Sequence, residues 1–147
     1  MTRLNALSFV ALVAALLFAP LAASAETAAP LPATALVRVD AFLAQLKAGK
    51  VADGYNKVFA GTLMSKKQAD LEQMIAQTET ALKYYGPVRD WQPIGQTHAA
   101  PGFATASYLV RAENAPLFMR FQLYDNGDHW IVYLVQLTDT FDQTTDW

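Results

Sequence analysis

The 147-residue chain has no cysteine, and that absence excludes several classes at once. No disulfide can staple the fold. Thiol nucleophiles and cysteine-ligated zinc are ruled out, and so is a lipoprotein anchored through a lipidated cysteine. Charge is sparse as well, at 16% of residues, with 11 Lys and Arg against 13 Asp and Glu and a formal net charge of −2. Without a basic excess nothing neutralises a phosphate backbone, which argues against nucleic acid as a partner. The sign is equally wrong for an anionic membrane surface. There are two histidines, His98 and His129. Neither has an acid and a nucleophile patterned around it, and both read as surface residues, His98 in a loop and His129 beside a turn. No Gly-x-Ser-x-Gly elbow, phosphate-cradling glycine loop, repeat or low-complexity tract occurs. No cofactor is called for.

What the chain does have begins at its N-terminus. Arg3 precedes an apolar run over 4–18 that only Asn5 and Ser8 interrupt, and Pro20 and Ala23-Ser24-Ala25 follow. A positive start, an apolar stretch and a small-x-small site make a secretory signal peptide over 1–25, cleaved after Ala25. The run is shorter than the roughly 20 residues of a membrane span. The expected product is periplasmic or secreted, with no membrane association after cleavage. Loss of Arg3 makes its net charge one unit more negative. Residues 26–33 (ETAAPLPA) read as a flexible tether. Residues 34–147 suffice for one domain with its own core.

Within that domain the apolar period changes once. Thr34 is a plausible N-cap for a first helix with Leu36, Val39, Phe42, Leu43 and Leu46 on one stripe, ended by Gly49. A shorter helix over 51–59 puts Val51, Tyr55, Val58 and Phe59 inward, weakened by Gly54. Ser65 with Gln68 has the spacing of a capping box. It opens a third helix striped by Leu71, Met74, Ile75, Thr78, Leu82 and Tyr85, which Gly86-Pro87 stops. From there the period is two. Residues 88–94 can form a strand, at an edge because of Pro93. Over 103–111, Ala104, Ala106, Tyr108 and Val110 share a face. Over 117–124, Leu117, Met119, Phe121 and Leu123 oppose Phe118, Arg120, Gln122 and Tyr124. Asn126-Gly127 is a hairpin signal leading into 130–138, which is apolar on both faces. Helices first and an antiparallel meander after predict an α+β fold: three N-terminal helices packed on a curved antiparallel sheet of about four strands.

The segments FLAQLKAGKVADGYNKVF (42–59), YYGPV (84–88) and the meander ASYLVRA…PLFMRFQLYDNGDHWIVYLVQL resemble the nuclear transport factor 2-like, or ketosteroid-isomerase-like, cone fold. The likeness is to its small exported domains of unknown function. It covers most of the domain and rests on layout rather than on an invariant signature. It implies a curved sheet wrapping a helix, a conical cavity, and dimerisation through the sheet. Many members carry a strand hairpin between the second and third helices. Residues 60–64 are too few for one, which implies a shallower cavity.

Three functional expectations follow. The first is a non-enzymatic domain that binds a small apolar or amphipathic ligand or an envelope protein. Tyr55, Tyr85, Trp91 and Trp130 are its candidate contacts, because aromatic rings at element ends often rim a pocket. The second is a small isomerase- or lyase-like enzyme. On this fold such enzymes use a carboxylate base with a tyrosine or acid that stabilises an oxyanion. Asp40, on the flank of the first helix, is the candidate carboxylate. The third is a pure interaction module whose cone is packed solid. The sheet's second face, with Phe118, Arg120, Tyr124 and Tyr133, is expected to form a homodimer interface, since all three helices are already used on the other face. Asp125 to His129 lack the twelve-residue spacing and terminal Glu of a calcium loop, so that segment reads as turn chemistry and no metal is assigned.

Overall fold

A computed structural model of the chain describes residues 30–141. The expected signal segment and cleavage site, and the first part of the expected tether, lie outside the described residues. The elements run α1 (Ala33–Lys47), α2 (Val51–Val58), a 3₁₀ turn (Met64–Lys66), α3 (Gln68–Tyr85), then β1 (Val88–Ala100), β2 (Phe103–Ala112), β3 (Pro116–Asp125) and β4 (Trp130–Thr138). The four strands form one antiparallel sheet in sequence order, with β1 and β4 at its edges. This is the α+β layout that the change of period and the resemblance implied.

Local chemistry sets most of the boundaries. The end of α1 is a Schellman closure: the Gly49 amide donates to the Leu46 carbonyl at 3.0 Å and the Lys50 amide to the Gln45 carbonyl at 2.9 Å. Gly49 takes the positive φ of 71° that this closure needs. Gly54 in α2 has a packing role. A Cβ there would lie 3.2 Å from the Gln45 Cβ and 3.3 Å from the Phe42 ring, so its absence lets α2 lie close against α1.

The core sits between α1, α2 and the inner sheet face. Val39, Phe42, Leu43 and Leu46 of α1 and Val51, Tyr55 and Val58 of α2 meet Ala104, Ala106, Tyr108 and Val110 of β2. Leu117, Met119, Phe121 and Leu123 of β3 complete it. Phe42 is the hinge of an aromatic chain, edge-on to Tyr55 at 4.9 Å and to Phe121 at 5.6 Å, and Tyr108 meets Phe121 at 5.7 Å. Rings in these T-shaped contacts add about 0.5–1.5 kcal/mol per pair beyond the area they bury. They fill the core between α1, α2 and the inner sheet face.

Several details depart from the sequence reading. Helix α1 starts one residue before Thr34, with Pro32 at the cap position and no side-chain cap bond. Leu31, read as tether, is buried in the core, and its amide donates to Gln96 Oε1 at 3.1 Å. The Ser65/Gln68 capping box does not form. Ser65 lies in the 3₁₀ turn and its hydroxyl donates to the Thr62 carbonyl at 2.7 Å, while Lys67 precedes α3 without a side-chain cap. Strand β1 continues six residues past Ile94, so His98 sits in a strand opposite Ala104 rather than in a loop. Pairing with β2 overrides the polar composition there. Pro93 is tolerated because β1 is an edge strand.

Strand β4 contains the most consequential departure. Leu123 faces Val132 and Gln122 faces Leu134, which leaves Tyr133 without a partner as a bulge. The extra residue shifts the alternation by one. Val132 and Val135 therefore both reach the core, whereas Ile131 and Leu134 take the other face. The strand does carry apolar residues on both faces, and the phase change decides which of them take each one.

Candidate functional site

Helix α3 carries the weakest core stripe of the three helices, and the cleft follows from that. Of its predicted stripe only Leu71 and Thr78 are fully buried, with Met74, Ile75, Leu82 and Tyr85 partly so. Small or polar residues at Gln77, Thr78 and Ala81 cannot fill the gap to the sheet. A cleft of about 410 Å³ remains, with Met74, Gln77, Thr78, Ala81 and Tyr85 on the α3 side. Tyr55 lines it from α2. Leu117, Val135, Gln136, Leu137, Thr138 and Asp139 line the opposite side.

Two hydrogen bonds organise the cleft. Deep inside, Tyr55 Oη and Thr78 Oγ1 are bonded at 2.8 Å. Burial pushes the Tyr55 hydroxyl up to about 12, only partly offset by that bond. At the mouth, Tyr85 Oη donates to Asp139 Oδ2 at 2.5 Å. This bond raises the Tyr85 pKa and holds the Asp139 carboxyl below its ordinary value, so the carboxylate is ionised at neutral pH. Among the described residues no Lys, Arg or His lines the cleft. Asp139 is the one charged side chain among the described lining residues.

The candidates from sequence are thus dispersed. Tyr55 and Tyr85 share the cleft. Trp130 lines a different, polar recess of about 480 Å³ with Thr34, Arg38, Asp128 and His129. Trp91 packs against the core opposite Val110 and lines none of these recesses. Asp40 is exposed on α1 and does not line the cleft. Its charge is felt at Tyr108, whose pKa is driven to about 12 by burial first and by Asp40 second. The hydrogen-bonded carboxylate and tyrosine are Asp139 and Tyr85. Nothing local marks Asp139, which comes into play only through a contact across 54 residues of sequence. Gln77, Ala81 and Gln136 were also missed, although the 77–78–81–85 spacing on one helix face was a readable signal.

The proposed interface residues divide in the same way. Arg120 is 3% exposed and Phe118 is also buried, with Phe141 edge-on to Phe118 at 5.2 Å. The middle of the second face is therefore covered within the chain. Tyr124 (46% exposed) and Tyr133 (57%) remain open and, with Leu63 (75%), flank an apolar groove of about 480 Å³. The Asp125–His129 turn spends its side chains on itself. Asp125 Oδ1 accepts from the Gly127 amide at 3.0 Å, and Asn126 Oδ1 accepts from the Asp128 and His129 amides at 3.0 and 2.9 Å. Among the described residues no group of three or more His, Cys, Asp or Glu is placed to hold a metal ion.

No protein-family model and no curated protein matches this chain. A solved structure to which it is similar is described as a "Putative NTF2-like transpeptidase from CAMPYLOBACTER JEJUNI". The match has 20% sequence identity and a TM-score of 0.48, and it spans 63% of this chain and 91% of that one. What the chain does has to be read from its own clefts.

Proposed function

We propose that this chain is an exported, non-enzymatic binding domain whose ligand, small and amphipathic, occupies the cleft beneath α3. The observation that carries this reading is the make-up of the cleft. Met74, Ala81, Leu117, Val135 and Leu137 offer apolar contact beside convergent polar groups from Gln77, Gln136, Thr138 and Asp139. Its volume of about 410 Å³ falls in the range of small-molecule sites, about 300–1,000 Å³. The acid–base groups present suit binding better than catalysis. A general base works best with a pKa near the operating pH, and the Asp139 carboxylate is held on the low side while Tyr55 keeps its proton. Asp40, the carboxylate that an isomerase would need in the cone, is outside the cleft.

The test is a fluorescence titration of the purified domain with Nile red, a neutral apolar dye. Saturable binding is expected, and Ala81→Trp, which fills the cleft from α3, should abolish it while the circular dichroism spectrum stays unchanged. Equal binding to a folded Ala81→Trp variant would overturn the assignment. A second reading, a protein-interaction module or homodimer with a filled cone, is favoured by one specific feature, the open Leu63–Tyr124–Tyr133 groove. Its occupant would be an envelope protein or a second copy of this chain.

A further inference from the structure

We infer that the ligand of the α3 cleft is an amphipathic cation, an amine or quaternary ammonium on a compact apolar body, with its positive end at Asp139. This rests on the binding reading above and adds the ligand's charge and orientation. Among the described residues the mouth of the cleft holds one carboxylate and no cationic side chain. The Asp139 carboxylate is fixed in place, since Oδ2 accepts from Tyr85 and Oδ1 accepts from the Thr140 hydroxyl at 3.2 Å. A carboxylate that accepts such bonds stays ionised, and the Tyr85 bond lowers its pKa. Each oxygen has a second lone pair to offer a donor. The remaining polar groups among the described lining residues, Tyr55, Gln77, Thr78, Gln136 and Thr138, are neutral, so no cation there compensates a ligand carboxylate or phosphate. An anion entering would face like-charge repulsion at the rim, and a cation would face attraction. Such a pairing sets specificity more than raw affinity. Tyr85 adds an aromatic ring at the same spot, a surface that also favours cations. Away from the rim, Met74, Ala81, Leu117, Val135 and Leu137 leave the body of the ligand no charged partner. The arrangement therefore has a charged rim and an uncharged interior, where apolar side chains surround the mutually bonded Tyr55 and Thr78 hydroxyls.

The experiment compares isosteric probes carrying one naphthalene body: 2-(aminomethyl)naphthalene as cation, 2-naphthoate as anion and 2-naphthamide as neutral control. Each competes against Nile red on the folded domain at low ionic strength. The amine is expected to bind about threefold more tightly than the carboxylate, with the amide between them, the gap shrinking as salt is added. Asp139→Asn should collapse the gap, read as the ratio of the amine and carboxylate affinities within that variant. Equal affinities for the amine and the carboxylate, a preference for the carboxylate, or a preference that survives Asp139→Asn would overturn the inference. Nile red binding that Ala81→Trp blocks, with no binding of the amine, would overturn the ligand class and leave the binding reading intact. Absence of Nile red binding as well would remove both.

Discussion

The Tyr55–Thr78 hydrogen bond joins α2 to α3 at the floor of the cleft, and a double-mutant cycle measures what it contributes. Both residues are about 2% exposed and the bond is 2.8 Å long. Thr78→Val is nearly isosteric and leaves the Tyr55 hydroxyl buried without its partner. An orphaned buried polar group costs about 1–3 kcal/mol. Tyr55→Phe removes the other half. Thr78 sits inside a helix, where a threonine hydroxyl can turn to the carbonyl of the preceding turn. That substitution should cost less, about 0.5–1.5 kcal/mol. The double variant replaces both partners by apolar groups of similar shape and should cost little more than Tyr55→Phe alone. The expected result is strong non-additivity, with a coupling of about 1 kcal/mol or more. Urea unfolding followed by circular dichroism supplies the midpoints, and an unchanged m-value would confirm that only the native state was altered. If Thr78→Val is silent, water from the cleft reaches the Tyr55 hydroxyl and the floor is not dry. Additive single effects would show that the two hydroxyls do not act on each other.

Two glycines separate backbone strain from crowding. Gly127 has φ 96° and open space around it, so Gly127→Val should destabilise by about 1–2 kcal/mol through its dihedral alone. Gly86 combines φ 83° with a Cβ position 2.8 Å from the Glu113 Cβ. Gly86→Ala should therefore lower the melting midpoint more than Gly127→Ala does, and the reverse order would contradict the packing. The Tyr85–Asp139 bond sets a pH window. Asp139 is shifted below its ordinary 3.8 and Tyr85 above its ordinary 10.0. The bond's contribution is thus fully present between those values. It is lost as pH falls through the lowered Asp139 pKa, and again as pH rises through the raised Tyr85 pKa. An NMR titration should show the Asp139 pKa returning towards 3.8 in Tyr85→Phe, and no movement would mean the bond is absent in solution. For the open groove, light scattering should find a dimer that Tyr124→Ser with Tyr133→Ser converts to monomer. A wild-type monomer at micromolar concentration would remove the sheet-dimer idea.

The sequence by itself determined the element order, the inner faces of β2 and β3, the Gly49 and Gly86 helix stops and the edge position of the proline-bearing strand. Each of these depends on residues a few positions apart, where periodicity and turn chemistry act directly. It also placed Tyr55 and Tyr85, two of the twelve described residues lining the cleft, on inward stripes. Only the tertiary structure decided the rest. Neither hydroxyl's partner is readable locally, because Thr78 and Asp139 lie 23 and 54 residues away. The bulge at Tyr133 exists only in relation to β3, and it alone decides which β4 side chains reach the core. The burial of Phe118 and Arg120 likewise reflects what folds over the second face, including Phe141. A period in one segment says which residues turn the same way. What they then meet depends on register and on distant chain, which no local pattern encodes.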